Sequence, residues 1–178
     1  MSKGMAIKDA IKAWEDKHQK VAAEATVVKL FMSQPLIVKM DASLATLAKV
    51  ELPCLRILSL GRNNIKKIEG LDAVADTLEE LWVSYNQIEK LNGVECCKKL
   101  KILYASNNKI KAWDGVTPAQ ALPVLEDLLL VGNPIEEKCT ADGNWVQEVS
   151  KKFPVLKKLD GRMIIREDAM GDDEEKAE

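Results

Sequence analysis

Histidine and aromatic residues are scarce in this chain of 178 residues. His18 is the only histidine, and Phe, Trp and Tyr together make up 4% of the sequence. A single histidine cannot form a His-based metal cluster, and none is left to activate a nucleophile elsewhere. A glycine-rich phosphate loop and a G-x-S-x-G motif are also missing. We therefore expect no enzymatic activity, no cofactor and no metal site.

A basic excess and a long apolar run are missing as well. The formal net charge is −2 and the pI is about 5.6, whereas proteins that bind phosphates carry a clear basic excess, so we expect neither nucleic acid nor a membrane as partner. No apolar run approaches the ~18 residues that span a bilayer, and the first residues lack a hydrophobic signal core. We expect a protein of the cytoplasm. Its cysteines fit no zinc-finger spacing and are expected to be reduced structural thiols: Cys54, Cys96, Cys97 and Cys139.

What the sequence does contain is a repeated leucine pattern. Residues 55–65 read LRILSLGRNNI, and their spacing, L-x-x-L-x-L-x-x-N-x-I, returns at 78–88, 100–110 and 125–135 with Val83 and Ala105 at two of the leucine positions. The asparagines follow one another at intervals of 23, 22 and 25 residues, within the period of about 20–29 residues that leucine-rich repeats have. Four copies with matching internal spacing rarely arise by chance. The shared polar position holds Asn63, Asn86, Asn108 and Asn133.

This spacing predicts a leucine-rich-repeat solenoid of the α/β class. Each Leu-x-Leu is a short strand whose two leucines point into the coil while the residue between them points outward. Each asparagine ends its strand at a turn, where its amide can bond backbone groups of neighbouring coils. One coil cannot bury its own apolar face, so coils must stack. We expect a curved parallel β-sheet with short helices on the outer side.

Both ends of such a solenoid need caps. Residues 5–25 have apolar side chains at helical spacing and predict an amphipathic helix over the open end. At the far end, Asn144 is expected to cap a helix through Lys152. The chain then divides into a helical cap with an atypical first coil (1–52), leucine-rich repeats with a closing half repeat (53–161), and a C-terminal segment with an acidic tail (162–178).

The candidate binding residues are the outward positions of the strands. Alignment of the four repeats places Ser59, Trp82, Tyr104 and Leu129 in one column. Exposed aromatic side chains with a polar rim are typical of protein-binding surfaces. The alternative is that the N-terminal helix or segment 162–170 covers this face and makes it part of the core. The candidate partner-binding residues of the repeats are Trp82, Tyr104, Leu129, Ile102, Ile57, Tyr85 and Arg62.

Several segments outside the generic leucines resemble the leucine-rich-repeat light chains of axonemal outer-arm dynein. They are GRN at 61–63, LEELW at 78–82, KKLDG at 157–161 and KMDASL at 39–44. The resemblance covers nearly the whole chain up to Gly161. It implies a non-catalytic subunit of the cilium or flagellum that binds the microtubule-binding stalk of a dynein heavy chain, lies near or against tubulin, and tunes how the motor engages its track. It also implies that a C-terminal element takes part, here Arg162, Met163 and Arg166.

This chain departs from the light-chain pattern between Leu47 and Leu55. Only seven residues stand there, where the family has about one further repeat, so we expect one strand of the sheet to be missing. Two other functions stay open on the residues alone. One is a leucine-rich-repeat regulatory subunit of a protein phosphatase, and the other is a splicing-associated repeat protein.

Overall fold

A seven-stranded sheet runs through the structure, a computed structural model that describes residues 4–48 and 54–165. The strands of this sheet are, in order across it, β2 (Val27–Lys29), β4 (Ile57–Ser59), β5 (Glu80–Trp82), β6 (Ile102–Tyr104), β7 (Asp127–Leu129), β8 (Lys158–Leu159) and β9 (Arg162–Met163). All pairs are parallel except the last, in which β9 runs antiparallel to β8. The predicted repeat fold with a parallel sheet is confirmed.

The inward leucines of successive coils form one continuous core. Leu58, Leu81, Leu103 and Leu128 are paired across the sheet and have no exposed surface. The asparagines tie these coils together: the amide nitrogen of Asn86 donates to the carbonyl of Leu60 in the preceding coil (3.0 Å), and its oxygen accepts from the Ile65 amide (2.9 Å). The other three asparagines repeat this bridge with the coil before them. Backbone groups that the tight turns leave without sheet partners are thereby satisfied.

The N-terminal cap is shorter than the sequence predicts. Strand β1 (Met5–Ala6) pairs with β3 (Ile37–Lys39), and helix α1 (Ile7–His18) follows directly. The helix ends where Gln19 adopts a left-handed backbone with φ 51°. Only a 3-10 turn at Ala22–Glu24 follows, and Val21, predicted on the buried helical face, is 53% exposed. The helix nevertheless covers the first coil, as expected.

The first coil supplies a strand although it lacks the leucine pattern. Val28 in β2 and Leu30 directly after it are buried in the inward positions. Ser33 stands where the repeats have asparagine, and its hydroxyl donates to the Leu30 carbonyl (3.0 Å). The coil continues through β3 to a 3-10 helix at Ala42–Ala48, where the Asp41 carboxylate accepts the Ser43 amide (2.9 Å) and caps the start. Because β2 pairs directly with β4, no strand stands between the first coil and the first full repeat; residues 49–53 of the connection lie outside the described residues.

The outer side of the solenoid carries short 3-10 helices at Leu71–Val74, Trp113–Gly115 and Thr117–Ala121. Helices α2 (Pro134–Ala141) and α3 (Trp145–Lys152) close the far end. The predicted helix after Asn144 is present, but the Asn144 side chain makes no capping bond. Instead, the Asp160 carboxylate links the end cap to the sheet by accepting the Leu130 amide (2.7 Å) and the Trp145 indole N–H (2.8 Å). In the described part of the chain, no helix is long and apolar enough to cross a membrane.

Candidate protein-binding surface

The register of the sheet brings the predicted outward residues into line. Ser59, Trp82, Tyr104 and Leu129 lie side by side on adjacent strands. Ile57, Glu80, Ile102 and Asp127 form a parallel column two residues earlier in the strands. We call the outward side of strands β2 to β8 the sheet face. Because each strand alternates its side chains, these two columns share that face while the leucines between them are buried.

Trp82 and Tyr104 form a stacked pair at the centre of the sheet face. Their ring centroids lie 6.0 Å apart and their planes are inclined by 25°, an offset arrangement that aromatic pairs favour. The Trp82 indole N–H donates to Glu80 (3.1 Å), and the Tyr104 hydroxyl donates to Asp127 (3.0 Å). Burial, and then the hydrogen bond to Asp127, raise the pKa of Tyr104 to about 12. The phenol therefore stays a protonated donor, and both rings are held in place before any partner arrives.

Half-buried aliphatic side chains surround the aromatic pair. Ile57 and Ile102 are half-buried on one side, and Leu129 is half-buried on the next strand beyond Tyr104. Helix α1 packs against β1, β3 and the 3-10 helices of the first coil. Of segment 162–170, Arg162–Met163 form β9 at the far edge of the sheet, where β7 and β8 separate them from Tyr104. Within the described residues, therefore, the sheet face stays accessible.

A second group of exposed residues lines the rim where the strands end. The Arg62 guanidinium carbon lies 4.6 Å from the Tyr85 ring centroid and 5.9 Å from that of Phe31. Tyr85 is 48% exposed and Phe31 is 52% exposed. Arg62 and Tyr85 each precede the asparagine of their coil and have left-handed backbones, with φ of 53° and 58°. This turn puts the two side chains next to each other, which the linear pattern alone does not reveal.

The repeat pattern of the sequence does not predict Lys29 and Phe31 on this surface. Lys29 pairs with Ser59 in the register, and its ammonium nitrogen lies 5.7 Å from the Trp82 ring centroid, so it reaches across Ser59. Ser59 is consequently only 4% exposed although it points outward. Phe31 packs over Gly61, where an added Cβ would lie 3.3 Å from the Phe31 ring. The signal that could have located both was the Val28-x-Leu30 spacing in front of Ser33.

The predicted C-terminal residues lie apart from the aromatic pair. Arg162 and Met163 are exposed in β9, and Met163 is 69% exposed. They stand at the opposite edge of the sheet from Lys29, with β7 and β8 between them and Tyr104. Arg166 lies outside the described residues.

The opposite rim, where the strands begin, is a ladder of charges that pair with each other. Arg56 donates to Glu79 (2.9 Å for the Nε bond), Lys101 reaches the second oxygen of Glu79 (3.2 Å), and Lys157 pairs with Glu126 (3.0 Å). Hydrogen bonds from Arg56, and then from Lys101, lower the pKa of the Glu79 carboxyl. Exposed pairs of this kind contribute little to stability, but they leave this rim with little charge to offer a partner.

These features define a leucine-rich-repeat protein whose sheet displays an oriented aromatic pair. A family model described as leucine-rich repeat matches residues 37–167. The fold is shared with the Mex67 leucine-rich-repeat domain from Chaetomium thermophilum, at 17% identity and a TM-score of 0.52 over 90% of this chain and 96% of that one. An internalin from Listeria monocytogenes has the same TM-score of 0.52 at 23% identity, over 70% of this chain and 32% of its own. Both likenesses concern the fold alone.

Proteins similar in sequence identify the family more narrowly than the shared fold does. The chain is 52% identical to "Dynein axonemal light chain 1" of Bos taurus over 185 residues, which is 94% of this chain and 97% of that protein. It is 50% identical to the Homo sapiens protein of the same name, over 98% of this chain and 99% of that one. The Chlamydomonas reinhardtii protein is 49% identical, over 92% and 93%. The chain belongs to the axonemal dynein light chain 1 family.

The alignment lengths agree with a shortened chain. The Bos taurus alignment has 185 positions, more than the 178 residues of this chain, so the relative has residues for which this chain has no counterpart. In this chain β2 pairs directly with β4. That the shorter segment lies at residues 48–54 stays a prediction.

Proposed function

We propose that this protein is a non-catalytic light chain of outer-arm dynein in the axoneme of a cilium or flagellum, and that its sheet face binds the microtubule-binding stalk of a heavy chain. Family membership supports the dynein assignment. The stacked Trp82–Tyr104 pair on an accessible sheet supports this face as the docking surface. In this role the light chain modulates how the motor engages the microtubule.

The aromatic pair fits the centre of such an interface. Trp and Tyr are the residue types that most often carry binding energy, about 2 kcal/mol or more each at hot spots. Hydrogen bonds to Glu80 and Asp127 already fix both rings, so binding costs little additional side-chain entropy. Ile57, Ile102 and Leu129 supply the apolar surroundings that exclude water, and Tyr85 and Arg62 form the polar rim.

Arg162, Met163 and Arg166 have a secondary place in this proposal. Arg162 and Met163 are exposed at the far edge of the sheet, where they can touch a second part of the stalk or nearby tubulin. Because β7 and β8 separate them from Tyr104, changes there should weaken binding less than changes in the aromatic pair.

The test replaces the aromatic pair. We expect the double variant Trp82→Ala, Tyr104→Ala to lose measurable binding to stalk fragments of outer-arm heavy chains, because truncating even one hot-spot residue costs about 2 kcal/mol or more of binding free energy. Both side chains lie outside the leucine core, so the thermal unfolding midpoint should stay within a few degrees of wild type. Isothermal titration calorimetry gives the affinity and circular dichroism the midpoint.

Val124→Ala is the control, since Val124 is 40% exposed and lies outside the sheet. This variant should bind like wild type. Unchanged affinity of the double variant would remove the sheet face from the interface. Recovery of a phosphatase catalytic subunit or of spliceosomal proteins from ciliated cells, with no dynein heavy chain, would refute the function itself.

A further inference from the structure

The N-terminal half of the sheet face carries positive charge without a counter-ion. Lys29 is exposed beside Trp82, and Arg62 is exposed between Phe31 and Tyr85. Neither forms a salt bridge with any described residue. Both cations instead lie over aromatic rings, where the ring quadrupole holds them in place while their outer side remains open to solvent.

The acidic residues of the same face, unlike Lys29 and Arg62, form hydrogen bonds or an ion pair with described residues. Glu80 accepts the Trp82 indole N–H (3.1 Å). Asp127 accepts the Tyr104 hydroxyl (3.0 Å) and pairs with Lys158 (3.3 Å). Lys158 therefore compensates the charge of Asp127, whereas Glu80 keeps its negative charge because an indole N–H is neutral. Lys29 and Arg62 are cations of this face that no described carboxylate pairs with.

Ser59 provides an independent indication at the same place. Its side chain lies on the outward face between Lys29 and Trp82 and is only 4% exposed. Its hydroxyl makes no hydrogen bond to a described residue. The hydroxyl can therefore donate to a partner group that approaches from the sheet face. A carboxylate placed between Lys29 and Ser59 would accept from both groups.

We propose that Lys29, Ser59 and Arg62 form an anion-binding subsite of the sheet face, and that the heavy-chain segment seated there carries acidic side chains. One carboxylate accepts hydrogen bonds from the Ser59 hydroxyl and the Lys29 ammonium group. A second acidic position of the segment faces the Arg62 guanidinium group, whose planar fork suits a carboxylate. Apolar side chains of the same segment continue over Trp82, Tyr104 and Leu129. This inference rests on the proposed function and specifies the chemistry of its partner.

The test removes the positive charges of Lys29 and Arg62 and the hydroxyl of Ser59 by substitutions that change the backbone and the neighbouring side chains as little as possible. We expect the double variant Lys29→Gln, Arg62→Gln to bind a stalk fragment about tenfold or more weakly, with a slower association rate and a smaller dependence on salt. Ser59→Ala should weaken binding about threefold or more yet leave the unfolding midpoint close to that of wild type, because its hydroxyl makes no hydrogen bond to a described residue. Stopped-flow kinetics from 50 to 500 mM salt measure rate and affinity.

Lys90→Gln is the matched control. Lys90 is an exposed lysine paired with Asp114 away from the sheet face (2.7 Å). Its replacement removes one positive charge, as each single substitution of the double variant does, and should leave binding as it is. A rescue experiment gives the sharper result: Lys29→Glu, Arg62→Glu should abolish binding, and replacing acidic residues of the stalk fragment by lysine should restore it.

The outcomes separate this inference from the function on which it rests. If Trp82→Ala abolishes binding while the Gln double variant and Ser59→Ala bind like wild type, the sheet face is the interface and the acidic-segment proposal is wrong. Tighter binding of the Gln double variant would also overturn it. If neither set of variants matters, the sheet face is not the interface and the acidic-segment proposal fails with it. If the wild type binds no heavy-chain stalk, the proposed function itself fails.

Discussion

Tyr104 is held in place by its neighbours and still exposes part of its ring to a partner. Its ring stacks on Trp82 and its hydroxyl donates to Asp127, while part of the ring remains accessible on the sheet face. Burial and the carboxylate both disfavour the phenolate, and they raise the pKa of Tyr104 to about 12 from an ordinary value of 10.0. A raised pKa means that the folded state holds this proton more tightly than the unfolded chain does.

This coupling predicts a pH dependence at the alkaline end. The stabilisation from the Tyr104 phenol is fully present below pH 10 and is lost as the pH rises from 10 through about 12. Absorbance at an ultraviolet wavelength specific for phenolate, compared between wild type and Tyr104→Phe, isolates this titration, because the chain has only one other tyrosine, Tyr85. A Tyr104 that titrates near 10 would show that the bond to Asp127 and the burial are absent in solution.

The candidate site was predictable at some residues and not at others. Trp82 and Tyr104 were placed correctly because the period of the repeat fixes which positions face outward. Lys29 and Phe31 were missed because β2 has Val28 and Leu30 without the leucine and asparagine signature. The stacking of Arg62 on Tyr85 depends on two left-handed residues at the ends of neighbouring strands, and spacing carries no information about that turn.

At the scale of elements, the asparagine bridges decide how coils are joined. Asn108 is 3% exposed. Its amide nitrogen donates to the carbonyls of Val83 and Ala105 (3.1 and 3.0 Å), and its oxygen accepts from the Ile88 amide (3.0 Å). Alanine at this position would leave these backbone groups buried without partners. We expect Asn108→Ala to lower the free energy of unfolding by about 2–4 kcal/mol, measured by urea denaturation.

Asn64→Ala is the control for this substitution. Asn64 directly follows the bridging Asn63 but is exposed, so its replacement should change the free energy of unfolding by no more than about 0.5 kcal/mol. Equal losses in the two variants would mean that the bridges contribute nothing beyond an ordinary polar side chain.

Some elements could be predicted from spacing and others could not. The strands of the four repeats were anticipated because each Leu-x-Leu must bury both leucines, and the register follows from stacking. The end of α1 was misplaced because apolar residues continue at helical spacing to Ala25, whereas the helix ends at His18 and the backbone is left-handed at Gln19. Strand β9 was not anticipated at all, since Asp160 and Gly161 reverse the chain with φ of 48° and 81° and a two-residue strand has no periodicity.

At the scale of the whole molecule, each coil contacts mainly the coils on either side. Every strand from β4 to β7 pairs with two parallel neighbours, whereas β2 and β9 stand at the ends of the sheet. In such an array, stability is approximately a sum over coils and their interfaces, so the ends open at lower cost than the middle. The capping helices reduce this difference but do not remove it, because they do not supply a further coil.

This architecture predicts a gradient of backbone protection along the chain. Native-state hydrogen exchange should find the slowest amides in the central coils, such as those of Val83 and Ala105, which donate to the next strand at 2.7 and 2.8 Å. The amide of Ile164, bonded to the Lys157 carbonyl at the edge (2.9 Å), should exchange at least about tenfold faster. Adding a heavy-chain stalk fragment should slow exchange in the coils that contact it and, through their interfaces, in the neighbouring coils. Equal protection from β2 to β9 would show instead that the caps make the solenoid open only as one unit, and the end coils would then be as firmly held as the aromatic centre of the sheet.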